Sequence, residues 1–208
     1  MSHRIPLTSL ILGLVMTTVG NAQVVEQEDA ETVAITPRSS LAPDAEKADL
    51  DRAEQLIVDQ TNAFRREHDL DAVKSDAKLQ ETAQYFADFM AENDKYGHTA
   101  DGQRPADRAQ EHGYEYCIVL ENIAYQYNSR GFTADKLAGK FVTGWENSAG
   151  HRKNMLDPDI SEIGVAVARS NKTGYYYAVQ MFGRPRANSI DFQIANRCSA
   201  MIQYELGG

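Results

Sequence analysis

Residues 144–158 read Gly144-Trp145-Glu146-Asn147-Ser148-Ala149-Gly150-His151-Arg152-Lys153-Asn154-Met155-Leu156-Asp157-Pro158, and the chain changes character across them. Ahead of this stretch apolar residues recur every three or four positions; beyond it they alternate. Leu137, Phe141 and Trp145 stand four apart and line one face of a helix. That helix is expected to run out between Asn147 and Gly150, because Asn, Ser and Gly favour turns over helix interiors. His151 then falls at the start of a short second helix, which Asp157-Pro158 stops.

Past Pro158 the period is two. Ile163, Val165 and Val167 alternate with Gly164, Ala166 and Ala168, so one face is bulky and the other is small enough for close approach. After a turn at Asn171-Lys172-Thr173-Gly174, Tyr175, Tyr177, Val179 and Met181 alternate in the same way, which completes a β-hairpin. Upstream the pattern is helical. Leu50, Ala53, Ile57 and Phe64 share a face of a first helix that ends near His68. Leu79, Ala83, Phe86 and Met90 share a face of a second, capped by Ser75 or Asp76. A short helix is expected from Pro105 to His112, where proline suits the first turn. Cys117 to Leu120 leads into Glu121-Asn122-Ile123-Ala124, read as the end of a short strand or as extended chain. Helices first and hairpins last make an α+β fold with a mostly antiparallel sheet.

The ends read differently. Residues 1–22 have the form of an export signal: His3 and Arg4, an apolar run from Leu7 to Val19, then Gly20-Asn21-Ala22. Residues 23–48 are acidic, carry Pro37 and Pro43 and lack a periodic apolar pattern, so they are expected to be a disordered linker. The domain proper is 49–186. Residues 187–208 hold two further alternating runs, an appended β-hairpin. No internal apolar run is long enough to span a bilayer, so no integral membrane segment is expected once the signal is removed. A net charge of −9 and a pI near 5.0 argue against a nucleic-acid partner, which needs a basic patch. Two cysteines, Cys117 and Cys198, in an exported chain are either bridged or two buried thiols. A bridge would close a loop of roughly 80 residues, worth about 4 kcal/mol in the loop-entropy account.

Gly97-His98, Glu121-Asn122-Ile123-Ala124, Trp145, Ser148-x-Gly150-His151-Arg152-x-Asn154-Met155-Leu156 and Gly164-Val165-Ala166-Val167 stand in the order found in CAP (SCP) domains. These are the cysteine-rich secretory, antigen 5 and pathogenesis-related 1 proteins, and the chain resembles their compact bacterial form from about Leu50 to Pro185. The resemblance implies a secreted α-β-α sandwich with a shallow cleft. By motif His98 and His151 correspond to the cleft histidines and Glu121 to its first acid. The second acid, three residues after the tryptophan in the eukaryotic branch, is replaced by Ser148. Glu146, beside Trp145, lies about 100° around the helix axis from it.

Two imidazoles and a carboxylate suit zinc or another divalent metal, with water completing the shell. Three functions follow as expectations. The first is a secreted binding module, with His98 and His151 as metal ligands, or with His98, Glu121 and His151 lining a site for a small apolar or lipid-like molecule. The second is a zinc-dependent hydrolase of an ester or peptide, with Glu121 as general base. No His-Glu-x-x-His or Gly-x-Ser-x-Gly element supports it, and Ser148 reads as a helix cap rather than a nucleophile. The third is a scaffold without an ion, using Tyr125, Tyr127 and Tyr175-Tyr176-Tyr177 as a contact surface. Ordinary strand packing is the simpler reading of those tyrosines. His68 and His112 fall at helix ends and read as structural.

Overall fold

A computed structural model describes residues 33–35 and 48–186. The export signal (1–22), the appended hairpin (187–208) and Cys198 lie outside the described residues. So does most of the 23–48 stretch.

Helix α1 (Leu50–Glu67) opens on Asp49, whose side chain accepts from the Arg52 amide, and ends at His68. Strand β2 (Lys74–Ser75) leads to α2 (Ala77–Asn93), capped by Asp76, which accepts from the Lys78 and Leu79 amides. Then come β3 (Lys95–Tyr96), α3 (Pro105–Glu111) and β4 (Tyr116–Gln126). Helix α4 (Ala134–Glu146) carries Trp145, and α5 (Ala149–Met155) carries His151. The hairpin is β5 (Glu162–Arg169) and β6 (Tyr176–Pro185). The main sheet runs β2-β5-β6-β4, antiparallel except where β2 pairs parallel with β5.

The alternation in β5 decides the layers. Ile163, Val165 and Val167 join the cluster of α1, α4 and α5, whereas Ala166 and Ala168 join that of α2. Small residues on the second face let α2 press close: a Cβ at Gly164 would stand 2.2 Å from the Leu79 carbonyl carbon. Leu79, Phe86 and Met90 are fully buried there, each contributing about 1.5–3 kcal/mol of apolar burial. Two helical layers thus enclose the sheet, an α-β-α sandwich.

Both rims of the sheet are capped by side chains of neighbouring elements. On β5, the Val165 amide donates to Gln80 Oε1 (3.0 Å) and the Val167 amide to Glu54 Oε1 (2.9 Å). On β4, the Ile123 carbonyl accepts from Tyr96 Oη (3.1 Å) and Trp145 Nε1 (3.2 Å), and the Glu121 carbonyl accepts from Asn154 Nδ2 (3.2 Å). Rim backbone groups satisfied in this way are poor templates for another strand.

Two local readings need correction. The segment around Glu121 is no short strand end; β4 runs 11 residues and pairs with β6 as far as Gln126, with a register shift between Tyr116 and Ile118. Polar Glu121 and Asn122 break the apolar alternation, although both are buried by the helices at the rim. Within the linker stretch, Val33–Ala34 form a strand, β1, antiparallel to β3. A pairing of two residues leaves no periodic trace in sequence.

Candidate functional site

The site is assembled on β4, an outer strand of the sheet, where adjacent residues point to opposite faces. Glu121 faces the α2–α3 layer. Its side chain is 1% exposed, and both oxygens are engaged: Oε1 accepts from His98 Nδ1 (2.7 Å), Oε2 from Arg108 (3.2 Å). The carboxylate can only accept, so it holds the His98 proton on Nδ1 and leaves Nε2 as the ring's second nitrogen. His98 keeps 35% of its side chain exposed, and it follows Gly97 directly, whose φ of 143° favours glycine.

Arg108 is the hub behind this pair. Fully buried, it donates to the His98 carbonyl (2.8 Å) and the Gln103 carbonyl (3.3 Å), faces buried Asp101 (3.3 Å), and stacks on Phe86 at 3.5 Å from the ring centroid. Two carboxylates and a ring face neutralise a guanidinium that burial would otherwise penalise heavily. Tyr96, two residues before His98, is pinned to β4 through the Ile123 carbonyl. Burial, with Tyr125 and Glu121 nearby, pushes its phenol up, so it remains a donor.

Asn122 faces the other layer. Its Nδ2 donates to the His151 carbonyl (3.1 Å) and Gln180 Oε1 (2.9 Å), while its Oδ1 accepts from Asn154 (2.9 Å). Gln180 in turn donates to Thr61 Oγ1 (2.8 Å) on α1. This chain of buried amides fixes α5 against β4 and sets the half-buried His151 beside the rim. Ser148 occupies the N-cap of α5, and its hydroxyl makes no capping bond to the helix. His98 and His151 thus arrive from opposite helical layers and are tied to neighbouring residues of one strand.

Among the described residues, no three or more His, Cys, Asp or Glu side chains gather as a metal cluster. Glu121 is bonded to His98 and Arg108, which makes it an orienting group rather than a free donor. Glu146 lies apart, near Glu67, His68 and Arg152; burial and the Glu67 charge raise its carboxyl above the ordinary range, with Arg152 opposing. His68 and His112 each place Nδ1 on the carbonyl four residues back, Phe64 (2.8 Å) and Arg108 (2.9 Å), as helix-end residues do. Tyr175, Tyr176 and Tyr177 are core packing. A cleft of about 390 Å³ opens instead at the β5 rim, between Leu50, Asp88, Val167 and Lys172, and contains none of the site residues. Sequence reasoning missed Arg108, Asp101 and the Asn122–Asn154–Gln180 network. Asn122 and Asn154 sat inside quoted motifs without a role, and Arg108 gave no signal.

Relatives share this architecture. An outer surface protein of Borrelia burgdorferi superposes with a TM-score of 0.58 at 20% identity, over 68% of this chain and 98% of its own, a likeness of fold alone. An extracellular SCP-domain protein of Bacillus anthracis gives 0.56 at 30% identity, over 71% of this chain and 45% of that one. In Bacillus subtilis the uncharacterized membrane protein YlbC is 34% identical over 122 residues, and YkwD 26% over 160. The chain covers only 33% and 58% of the lengths of these two proteins. Residues 58–182, more than half of the sequence, match the cysteine-rich secretory protein family. The chain belongs to that family, CAP.

Proposed function

We propose that this is an exported CAP-domain binding protein that holds a divalent metal ion at the β4 rim through the imidazoles of His98 and His151. The observation that carries this reading is the His98–Glu121 bond. A buried carboxylate fixes Nδ1–H and leaves Nε2 as the ring's lone-pair nitrogen, the orienting arrangement found behind metal-bound histidines. His98 and His151 would supply two imidazole donors, with water completing the shell. Glu121 acts behind His98 and Asn122 positions the α5 backbone at His151. When bound, the ion would supply Lewis acidity. The hydrolase reading is weaker, because a general base needs a free oxygen and both oxygens of Glu121 accept from cations or donors. Export is supported by residues 1–22 and by the similarity to the extracellular protein of Bacillus anthracis. The same compartment favours a Cys117–Cys198 bridge.

Calorimetric titration of Zn²⁺ tests the reading. Wild type is expected to bind, Glu121→Gln to bind about 10–100-fold more weakly, and His98→Ala/His151→Ala not at all. Equal affinity in wild type and the double variant would end the proposal.

A further inference from the structure

Strand β5 outruns its neighbour. β2 pairs only with Glu162 and Ile163, so the rest of that edge lies between α1 and α2. Gln80 and Glu54 reach across it to the Val165 and Val167 amides. Past this clasp the lining includes Ala91 and Ala168, whose side chains are too short to fill the space between the layers. There the edge opens as the cleft of about 390 Å³. That volume falls within the roughly 300–1,000 Å³ of small-molecule sites.

The cleft has an apolar floor and walls of opposite charge. Leu50, Val167 and Ala168 supply aliphatic surface. Asp88 and Glu92, one helical turn apart on α2, make an acidic wall, and Arg169 and Lys172, at the end of β5, make a basic one. None of these four charges takes part in an ion pair among the described residues. Lys172 Nζ donates to the Glu92 carbonyl (2.6 Å), and Asp88 accepts from Gln84 (3.1 Å). Arg169 lies 5.6 Å from the Tyr176 ring centroid, and its buried Nε–H has no acceptor among the described residues. A buried donor left unpaired is costly, and an anionic oxygen brought into the cleft offers it an acceptor. On the acidic side like charges crowd together. Glu54, bonded to the Val167 amide, is pushed up to about 7 by burial and further by Asp51 and Asp88, with the Val167 amide and Gln80 opposing.

We propose that the β5-rim cleft binds a small aliphatic zwitterion of the α-amino-acid class, with its carboxylate on Arg169, its ammonium on the Asp88–Glu92 wall and its side chain on Leu50, Val167 and Ala168. A simple anion would set its charge against Asp88 and Glu92, and a simple cation would face two bases and leave the Arg169 N–H unmet. Only a molecule carrying both charges meets both walls, so each wall selects against the ligand that suits the other alone. The cleft lies at the far side of the sheet from β4, and the inference does not depend on an ion at His98 and His151.

The probe is L-leucine, titrated into the isotope-labelled full chain and followed by amide chemical shifts. Saturable shifts are expected at Ala91, Ala168 and Arg169. Isopentylamine, which is leucine without its carboxylate, and isocaproate, which is leucine without its ammonium, should each bind about tenfold or more weakly. In Arg169→Gln the advantage of leucine over isopentylamine should disappear, and in Asp88→Asn its advantage over isocaproate should shrink. The absence of saturable shifts at these amides with millimolar leucine overturns the proposal. So does equal affinity of the wild type for leucine and either truncated analogue, which would make the cleft a site for a single charge. Arg169→Gln binding leucine as tightly as wild type overturns the carboxylate assignment.

Discussion

Arg108→Met tests whether one buried cation holds the site together. The guanidinium is fully buried between Asp101 and Glu121, whose side chains are each 1% exposed, and stacks on Phe86. Methionine keeps the apolar stem and a contact for the Phe86 ring but removes the charge, stranding two carboxylates out of water. Removing one partner of a buried pair costs about 3–5 kcal/mol, since the remaining charge loses its compensation. Taking about 4 kcal/mol and the response of a domain of this size, the melting temperature should fall by roughly 12 °C. Circular dichroism melts and urea unfolding, with an unchanged m-value, read the loss. The informative control is Asp101→Asn/Arg108→Met/Glu121→Gln, which removes all three charges. Uncharged replacements of a buried ionic cluster are often near neutral, so at least about half of the loss should return. A single variant within about 1 kcal/mol of wild type, or a triple no more stable than the single, would refute the reasoning.

Three further outcomes follow. Burial, joined by the charges of Asp51 and Asp88 and opposed by the Val167 amide and Gln80, pushes the Glu54 carboxyl from 4.5 up to about 7. The folded state therefore keeps a proton that the unfolded chain sheds near 4.5; this stability is full below that pH and lost as pH rises through 7. Discounted for partial exposure, Glu54→Gln should gain about 1–2 kcal/mol relative to wild type between about pH 5 and pH 8 in urea unfolding, and a relative loss would contradict the assignment. Gly164→Ala forces a Cβ to 2.2 Å from the α2 backbone and should lose about 3 kcal/mol or more, whereas Gly139→Ala, in α4 with nothing within 4 Å, should gain about 0.5–1 kcal/mol in the same melts. If Cys117 and Cys198 are bridged, Cys198→Ala should destabilise by about 4 kcal/mol; two free thiols in unreduced protein by mass spectrometry rule the bridge out.

The layered fold was legible because burial follows period. Leu79, Ala83, Phe86 and Met90 all reach the core, and the bulky and small faces of β5 meet different helical layers. The site was legible only in its parts. His98, Glu121 and His151 stand in motifs, but nothing in their spacing says that Glu121 would be turned toward an arginine. Arg108 lies in a short helix where a charge ordinarily faces water; only three-dimensional closure brings Asp101 and Glu121 around it. Similarly, β1 depends on an acceptor made about sixty positions away, a separation across which local patterns carry no information.

The two histidines hang from a single outer strand, one approached from each side of the sandwich. A change that frees either segment from β4 would remove one of the two imidazoles from the strand to which both are tied. An ion held by both rings would tie the His98 loop to α5 across the outer strand, and its arrival should be felt as slower opening of the two together.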